Sequence, residues 1–419
     1  MDKFIVYNSS LKGEVEISGS KNASLVLMAA TLLTDEECRI YNVPDLVDVR
    51  TMIRILEVLG KEIRFEGSTL IIRTKKTTPY VAPYRLVRTM RASFCCLGPL
   101  LTKRKKAKVS LPGGCVIGVR PVDLHIKGLK ELGAQIKIEK GYCVAKAERL
   151  RGKRIFLGGP FGSSVLATAN VLMAATLAEG ETIIENSACE PEIVNLVEFL
   201  KKMGAQISGE GTPLLKIKGG KKLEGAQIKV IPDRIEAGTF IAASLATSSS
   251  IFIKNINLNH LTSVIEVARN IGAKIKEDED FLKIKVSSSL KPTNITTLPY
   301  PGFPTDLQAQ FMVPLILAKG TSIIVEKVFP DRFMHVAELN RMGARIQRHG
   351  SYAIIEGVGR IYGAEVMASD LRASAALVIA GLVASGKTEI LRIYHLDRGY
   401  MSLEKKLEKL GAKIKRVKQ

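Results

Sequence analysis

With 419 residues, 46% apolar and 25% charged, the chain can form two or three domains with a sizeable core, which excludes disorder. Its longest apolar runs, residues 23–33 and 373–384, fall short of the ~18 residues a membrane span needs, so a soluble chain is expected. The formal charge of +21 invites anionic partners, but there is no Trp and only 5% aromatic residues, poor material for stacking bases, so no nucleic-acid partner is expected.

The opening MDKFIVYNSS lacks the apolar core of a signal peptide. Six cysteines without a CxxC pair or metal-like spacing to histidine predict a cytoplasmic chain with no metal site. Residues 4–6 read as a first strand and residues 17–20 as a linking segment. The KRKKAK run at 103–108 reads as a solvated loop within a Lys-rich surface.

A short signature then recurs along the chain. It reads LGKEI at 59–63, LGAQI at 132–136, MGAQI at 203–207, IGAKI at 271–275, MGARI at 342–346 and LGAKI at 410–414. Its glycines, at 60, 133, 204, 272, 343 and 411, define six units of about seventy residues. In the third unit, residues 163–177 (SSVLATANVLMAATL) predict a small-residue helix and residues 182–185 a strand. Residues 191–203 predict an amphipathic helix, with Ile193, Val194, Val197, Leu200 and Met203 at helical spacing. Gly204 ends it in the left-handed region, and strands follow at 214–218 and 227–231. The unit is βαβαββ within permutation. Three units closing around shared helices give two lobes, residues 20–229 and residues 1–19 plus 230–419, with a cleft between them.

Each unit's first helix starts with charged or hydroxyl residues: Lys21 and Asn22, Arg91, Ser164, Arg234 and Glu236, Asp306, and Asp370 with Arg372. A cation opposes the dipole in a first turn unless an anion joins it. The matched Lys21, Arg91 and Arg372 therefore suggest anion binding, whereas Asp306 alone reads as an ordinary cap. Arg120 and Arg398 each stand thirteen residues before a repeat glycine and Arg332 eleven before. Their planar forks suit phosphate and carboxylate. Cys115, in the glycine-rich LPGGCVIGVR and near Arg120, has the setting of an activated thiol. The other five cysteines read as packing residues.

GSKNA (19–23), PGGC and RPVDLH (112–125), PEIVNLVEFLKKMGA, PDRIEAGTF, FPTDLQAQF, RFMHVAELNRMGA, DLRASAALV and YHLDRGY resemble, in order and over essentially the whole chain, the UDP-N-acetylglucosamine 1-carboxyvinyltransferases of the enolpyruvyl transferase family. The resemblance implies a two-lobed inside-out α/β barrel of six βαβαββ repeats. It implies transfer of the enolpyruvyl group of phosphoenolpyruvate to the 3′-hydroxyl of UDP-N-acetylglucosamine with release of phosphate. That is the first committed step of bacterial peptidoglycan synthesis, hence of cell-wall biogenesis, cell shape and division. By the same resemblance Lys21, Asn22, Arg120, Arg332, Arg372 and Arg398 hold phosphoenolpyruvate. Arg91, Arg120, Pro121, Val122, Asp123, Leu124, Ser164, Val165, Asp306 and Val328 bind the UDP-sugar. Asp306 is the base, Cys115 the proton donor and target of fosfomycin, and Asp370 a second acid.

No cofactor, metal, membrane or obligate protein partner is implied. Where the family usually reads SVGATEN, residues 164–170 read SVLATAN. The alternatives are a 3-phosphoshikimate 1-carboxyvinyltransferase, with the same fold and donor, and a basic RNA-binding protein on the same scaffold.

Overall fold

A computed structural model describes residues 2–75, 77–112, 122–286 and 289–418. These residues divide into two units, one taking residues up to Ser18 and from Pro232 onward, the other running from Gly19 to Ile231. Among the described residues each unit holds three four-stranded sheets of one design. In the sheet Arg154–Phe156, Glu181–Glu185, Leu214–Lys218, Gln206–Ser208, the first pair is parallel and the other two antiparallel. The first strand of the chain, Asp2–Tyr7, lies between Lys387–Leu391 and Ile414–Lys418. A separate two-stranded sheet joins Gly158–Gly159 to Gly162–Ser163.

In the unit containing the C-terminus the helices Arg234–Ala246, Gln308–Leu317 and Leu371–Val383 pack on one another. They are buried nearly all round, as helices rich in Ala and apolar residues must be. In the other unit Leu97–Arg104 and Asp123–Glu131 pack on Val165–Ala175, while Lys21–Ala30 packs on Pro191–Lys202. Small residues let these helices approach: a Cβ on Gly98 would meet the Asn170 carbonyl oxygen at 2.2 Å. Each unit has its own apolar core, whose fully buried side chains contribute ~1.5–3 kcal/mol each.

All six repeat glycines have positive φ, from 89° to 127°, so each ends its helix in a conformation that would strain any other residue. The helix expected at 163–177 is shorter, Val165–Ala175, because Ser164 caps it by accepting from the Ala167 amide and Ser163 belongs to the small sheet. The KRKKAK run is not a loop. Lys103 and Arg104 end a helix, Lys105 turns in the left-handed region, and a strand begins at Lys106. Lys103 pairs with Asp35 at 2.7 Å, and the Lys106 ammonium lies 4.3 Å from the Tyr80 ring centre.

The altered first signature, LGKEI, has a structural cause. Where the other five copies carry Ala, Lys61 is 1% exposed, and its ammonium donates to Thr34 O at 2.8 Å and Thr74 Oγ1 at 2.6 Å. Burial pushes it down to about 8. Lys61→Ala should therefore destabilise the fold by about 2 kcal/mol, through an orphaned carbonyl and a cavity. Denaturant unfolding would show it, and a variant as stable as the parent would contradict this reading.

Candidate active site

In the C-terminal unit, Pro304 leads into the short 3₁₀ turn Thr305–Leu307, which presents Asp306. One of its oxygens lies 2.7 Å from Arg332 Nη1, and the other accepts from Arg372 Nη2 at 2.9 Å. The carboxylate is about a quarter exposed, whereas the arginine side chains are only 6% and 4% exposed. Although burial opposes its charge, Arg372 is held above its ordinary range by Asp306, Tyr400 and Asp233. Two nearly buried cations thus share one partly exposed carboxylate, so positive charge is in excess here, and removing the shared partner would cost ~3–5 kcal/mol.

Asp306 is thus not the helix cap its position suggested. The α-helices Arg234–Ala246 and Leu371–Val383 of this unit are instead capped by Asp233 and Asp370. Asp370 Oδ1 accepts from the Arg372 and Ala373 amides at 2.8 and 3.1 Å, while Oδ2 accepts from Ser369 Oγ at 3.3 Å. Asp370 therefore fixes the start of the helix that carries Arg372. Arg398 ends the turn Ile393–Arg398, half-buried. Together with burial, its charge pushes His395 down, against the opposing pull of Asp370.

Several supporting residues escaped the sequence reading. Glu326, fully buried, accepts from the Val328 and Phe329 amides at 2.8 and 2.9 Å. It also accepts from Thr297 Oγ1 at 2.6 Å and Thr305 Oγ1 at 2.9 Å. It ties the Val328 loop to the Asp306 turn, and Arg332 Nη1 donates to Thr305 Oγ1 at 3.1 Å. The clue was present in the sequence: in TSIIVE the alternation puts Ser322, Ile324 and Glu326 on the buried face. Tyr400, also buried, lies with its ring 5.4 Å from the Arg372 guanidinium carbon. Gln310 Nε2 donates to the Tyr400 hydroxyl at 3.1 Å and to the Asp306 carbonyl at 2.9 Å.

In the other unit Ser20 caps the helix that opens with Lys21 and Asn22. The Lys21 ammonium lies 3.5 Å from Asp48, both side chains largely buried. Arg91 begins the turn Arg91–Cys96. Val122 precedes the helix Asp123–Glu131, with Asp123 and Leu124 in its first turn. Buried Asn170 joins these pieces: its Oδ1 accepts from the Gly98 amide at 2.6 Å, and its Nδ2 donates to Phe94 O at 3.2 Å. Nδ2 also lies 2.9 Å from His125 Nδ1, which assigns the histidine proton to Nε2. Ser164 and Val165 begin the helix carrying Asn170. Cys115, Arg120 and Pro121 lie outside the described residues. Cys38, Cys95, Cys96, Cys143 and Cys189 are free, and burial pushes each thiol up, which suppresses the reactive thiolate. Among the described residues no group of three or more His, Cys, Asp or Glu could hold a metal ion, and no helix is long and apolar enough to cross a membrane.

Burial, aided by the charge of Arg91, pushes His125 down to about 3. Burial, opposed by Asp370 and aided by Arg332, pushes His335 down to about 4. Both stay neutral in the folded chain where an unfolded histidine, near 6.5, already takes up protons. Their contribution to stability is complete above about pH 6.5 and falls as pH drops toward 4. Denaturant midpoints should decline between pH 6.5 and 5, above the range of ordinary carboxylates; a flat profile over that interval would contradict the assignment.

A family model described as EPSP synthase (3-phosphoshikimate 1-carboxyvinyltransferase) matches residues 6–407. The UDP-N-acetylglucosamine 1-carboxyvinyltransferase of Methylacidiphilum infernorum is 52% identical over 418 residues, covering 100% of this chain and 99% of its own. UDP-N-acetylglucosamine 1-carboxyvinyltransferase 2 of Carboxydothermus hydrogenoformans is 51% identical over 420 residues, covering 100% of both. In structure, the enolpyruvyl transferase NikO from Streptomyces tendae aligns with a TM-score of 0.90 at 24% identity, covering 99% of each chain. EPSP synthase from Acinetobacter baumannii aligns at 0.75 and 19%, covering 100% of each; these two likenesses concern the fold. The chain belongs to the enolpyruvyl transferase family and, within it, to the UDP-N-acetylglucosamine 1-carboxyvinyltransferases.

Proposed function

We propose that the chain transfers the enolpyruvyl group of phosphoenolpyruvate to the 3′-hydroxyl of UDP-N-acetylglucosamine and releases phosphate, in the cytoplasm, as the first committed step of peptidoglycan synthesis. The observation that carries this reading is Asp306 clamped between Arg332 and Arg372, in a chain about half identical to its relatives over their full length. The six sheets of one design support the finer architecture: an inside-out α/β barrel of six βαβαββ repeats, with lobes at residues 20–229 and at residues 1–19 plus 230–419.

In the mechanism, Lys21, Asn22, Arg120, Arg332, Arg372 and Arg398 hold phosphoenolpyruvate. Arg91, Arg120, Pro121, Val122, Asp123, Leu124, Ser164, Val165, Asp306 and Val328 hold the UDP-sugar. The arriving anionic donor competes for Arg332 and Arg372 and loosens their hold on Asp306, which makes the carboxylate available as a base. Asp306 accepts the 3′-hydroxyl proton while the hydroxyl oxygen bonds to C2 of phosphoenolpyruvate. Cys115 protonates C3, which becomes a methyl group, and Asp370 stands as a second acid. Phosphate then leaves C2 with the proton held by Asp306, as a proton of C3 passes back to the Cys115 thiolate, which restores the double bond and both groups. The cations stabilise the tetrahedral adduct, and fixing hydroxyl and enol together removes much of the association cost.

The test compares acceptors. Phosphate release from phosphoenolpyruvate should require UDP-N-acetylglucosamine and should not occur with 3-phosphoshikimate. The reverse preference would overturn the acceptor assignment.

A further inference from the structure

We propose that Phe161 is a stacking platform for the uracil of the UDP-sugar, a specificity-determining residue for the acceptor; this deepens the function proposed above and rests on it. Phe161 sits at the tip of the small hairpin in which Gly158 pairs with Ser163 and Gly159 with Gly162. Its two-residue turn is Pro160–Phe161. Proline fixes the backbone on one side, and Gly162, at φ 86°, closes the turn on the other. Tip positions favour Gly, Asn, Asp or Ser, so turn chemistry does not call for a phenylalanine.

The hairpin lies on the segment that the proposed function gives to the UDP-sugar. A Cβ on Gly159 would approach Leu124 Cδ1 to 3.3 Å, so the strand rests directly against that leucine. Three residues beyond Phe161, Ser164 caps the next helix. Nearby Phe156 is as exposed but already engaged. Its ring covers Gly158, where a Cβ would meet it at 2.6 Å, and the Lys127 ammonium lies 5.5 Å from its centre. Phe161, 54% exposed, has no ring or cation partner among the described residues. A lone exposed apolar side chain needs no explanation by itself. One on a proline-fixed turn, in a hairpin that rests on Leu124 through Gly159 and runs into Ser164, offers a flat apolar face to a planar base, and base–aromatic stacking is worth roughly a fivefold to hundredfold change in affinity.

Calorimetric binding of UDP-N-acetylglucosamine, without phosphoenolpyruvate, tests this. Phe161→Ser should weaken binding about tenfold and Phe161→Tyr should restore it. In turnover the loss should fall on the KM for UDP-N-acetylglucosamine, not on the KM for phosphoenolpyruvate. The analogue carrying 5,6-dihydrouracil, whose C5–C6 bond is saturated so that the ring is puckered and no longer aromatic, should bind the parent about tenfold more weakly than UDP-N-acetylglucosamine, whereas Phe161→Ser should not distinguish the two. Equal affinities of parent and Phe161→Ser, or the same discrimination by both, would overturn the proposal while leaving the function standing. Phe161-dependent binding without turnover would uphold the stacking and overturn the function.

Discussion

Asp306→Asn should lower turnover by ~10²–10⁴-fold while leaving the UDP-sugar largely able to bind. The substitution keeps the shape of the side chain, and its amide oxygen can still accept from one of the two guanidinium groups that now hold Asp306. What disappears is the proton acceptor for the 3′-hydroxyl. Because Arg332 and Arg372 lose a negative partner, phosphoenolpyruvate should bind the variant at least as tightly as the parent. Turnover and donor affinity therefore move in opposite directions, which mere loss of folding cannot produce. Near-normal turnover would remove Asp306 from the mechanism.

Arg372→Lys should lower kcat/KM for phosphoenolpyruvate by ~10²-fold even though charge is conserved. The guanidinium is 4% exposed, reaches Asp306 through one nitrogen and lies over the Tyr400 ring. Lysine cannot supply a planar fork to a carboxylate and Asp306 at once, and its compact ammonium is costlier to bury. Steady-state kinetics with the donor varied would reveal the loss. An unchanged kcat/KM would show that the fork is not used.

The repeat glycines made the fold readable, because a left-handed helix stop leaves the same residue in every copy. Where a copy departed, the cause was tertiary. Lys61 serves a carbonyl at the end of another element; in the 164–170 segment the departures are Leu166 and Ala169, while the retained Asn170 serves Phe94, Gly98 and His125. The cations at the helix starts read as anion seekers. Lys21 and Arg372 already have protein carboxylates near them, Asp48 and Asp306. Asp48 could not have been named from local pattern, because it comes from a different helix, Val47–Val58. By position alone Asp306 reads as a cap and by resemblance as the base, because caps and bases use the same residue types; in the structure it sits in the turn at Thr305, paired with two arginines, and caps no helix. Glu326, a buried acid at a strand end, accepts from the amides two and three residues beyond it and from the distant Thr297 and Thr305 hydroxyls, and the distant pair is not encoded by one-dimensional spacing.

Enolpyruvyl transfer by addition and elimination exchanges hydrogen with solvent, so turnover in D₂O reads it out. Addition must convert the methylene of phosphoenolpyruvate into a methyl group that takes one solvent hydron, and elimination then removes one of its three. Deuterium is expected in the vinyl group of the UDP-sugar product, read by mass spectrometry or NMR, with one phosphate released per product. A product formed at full rate with an undeuterated vinyl group would contradict it.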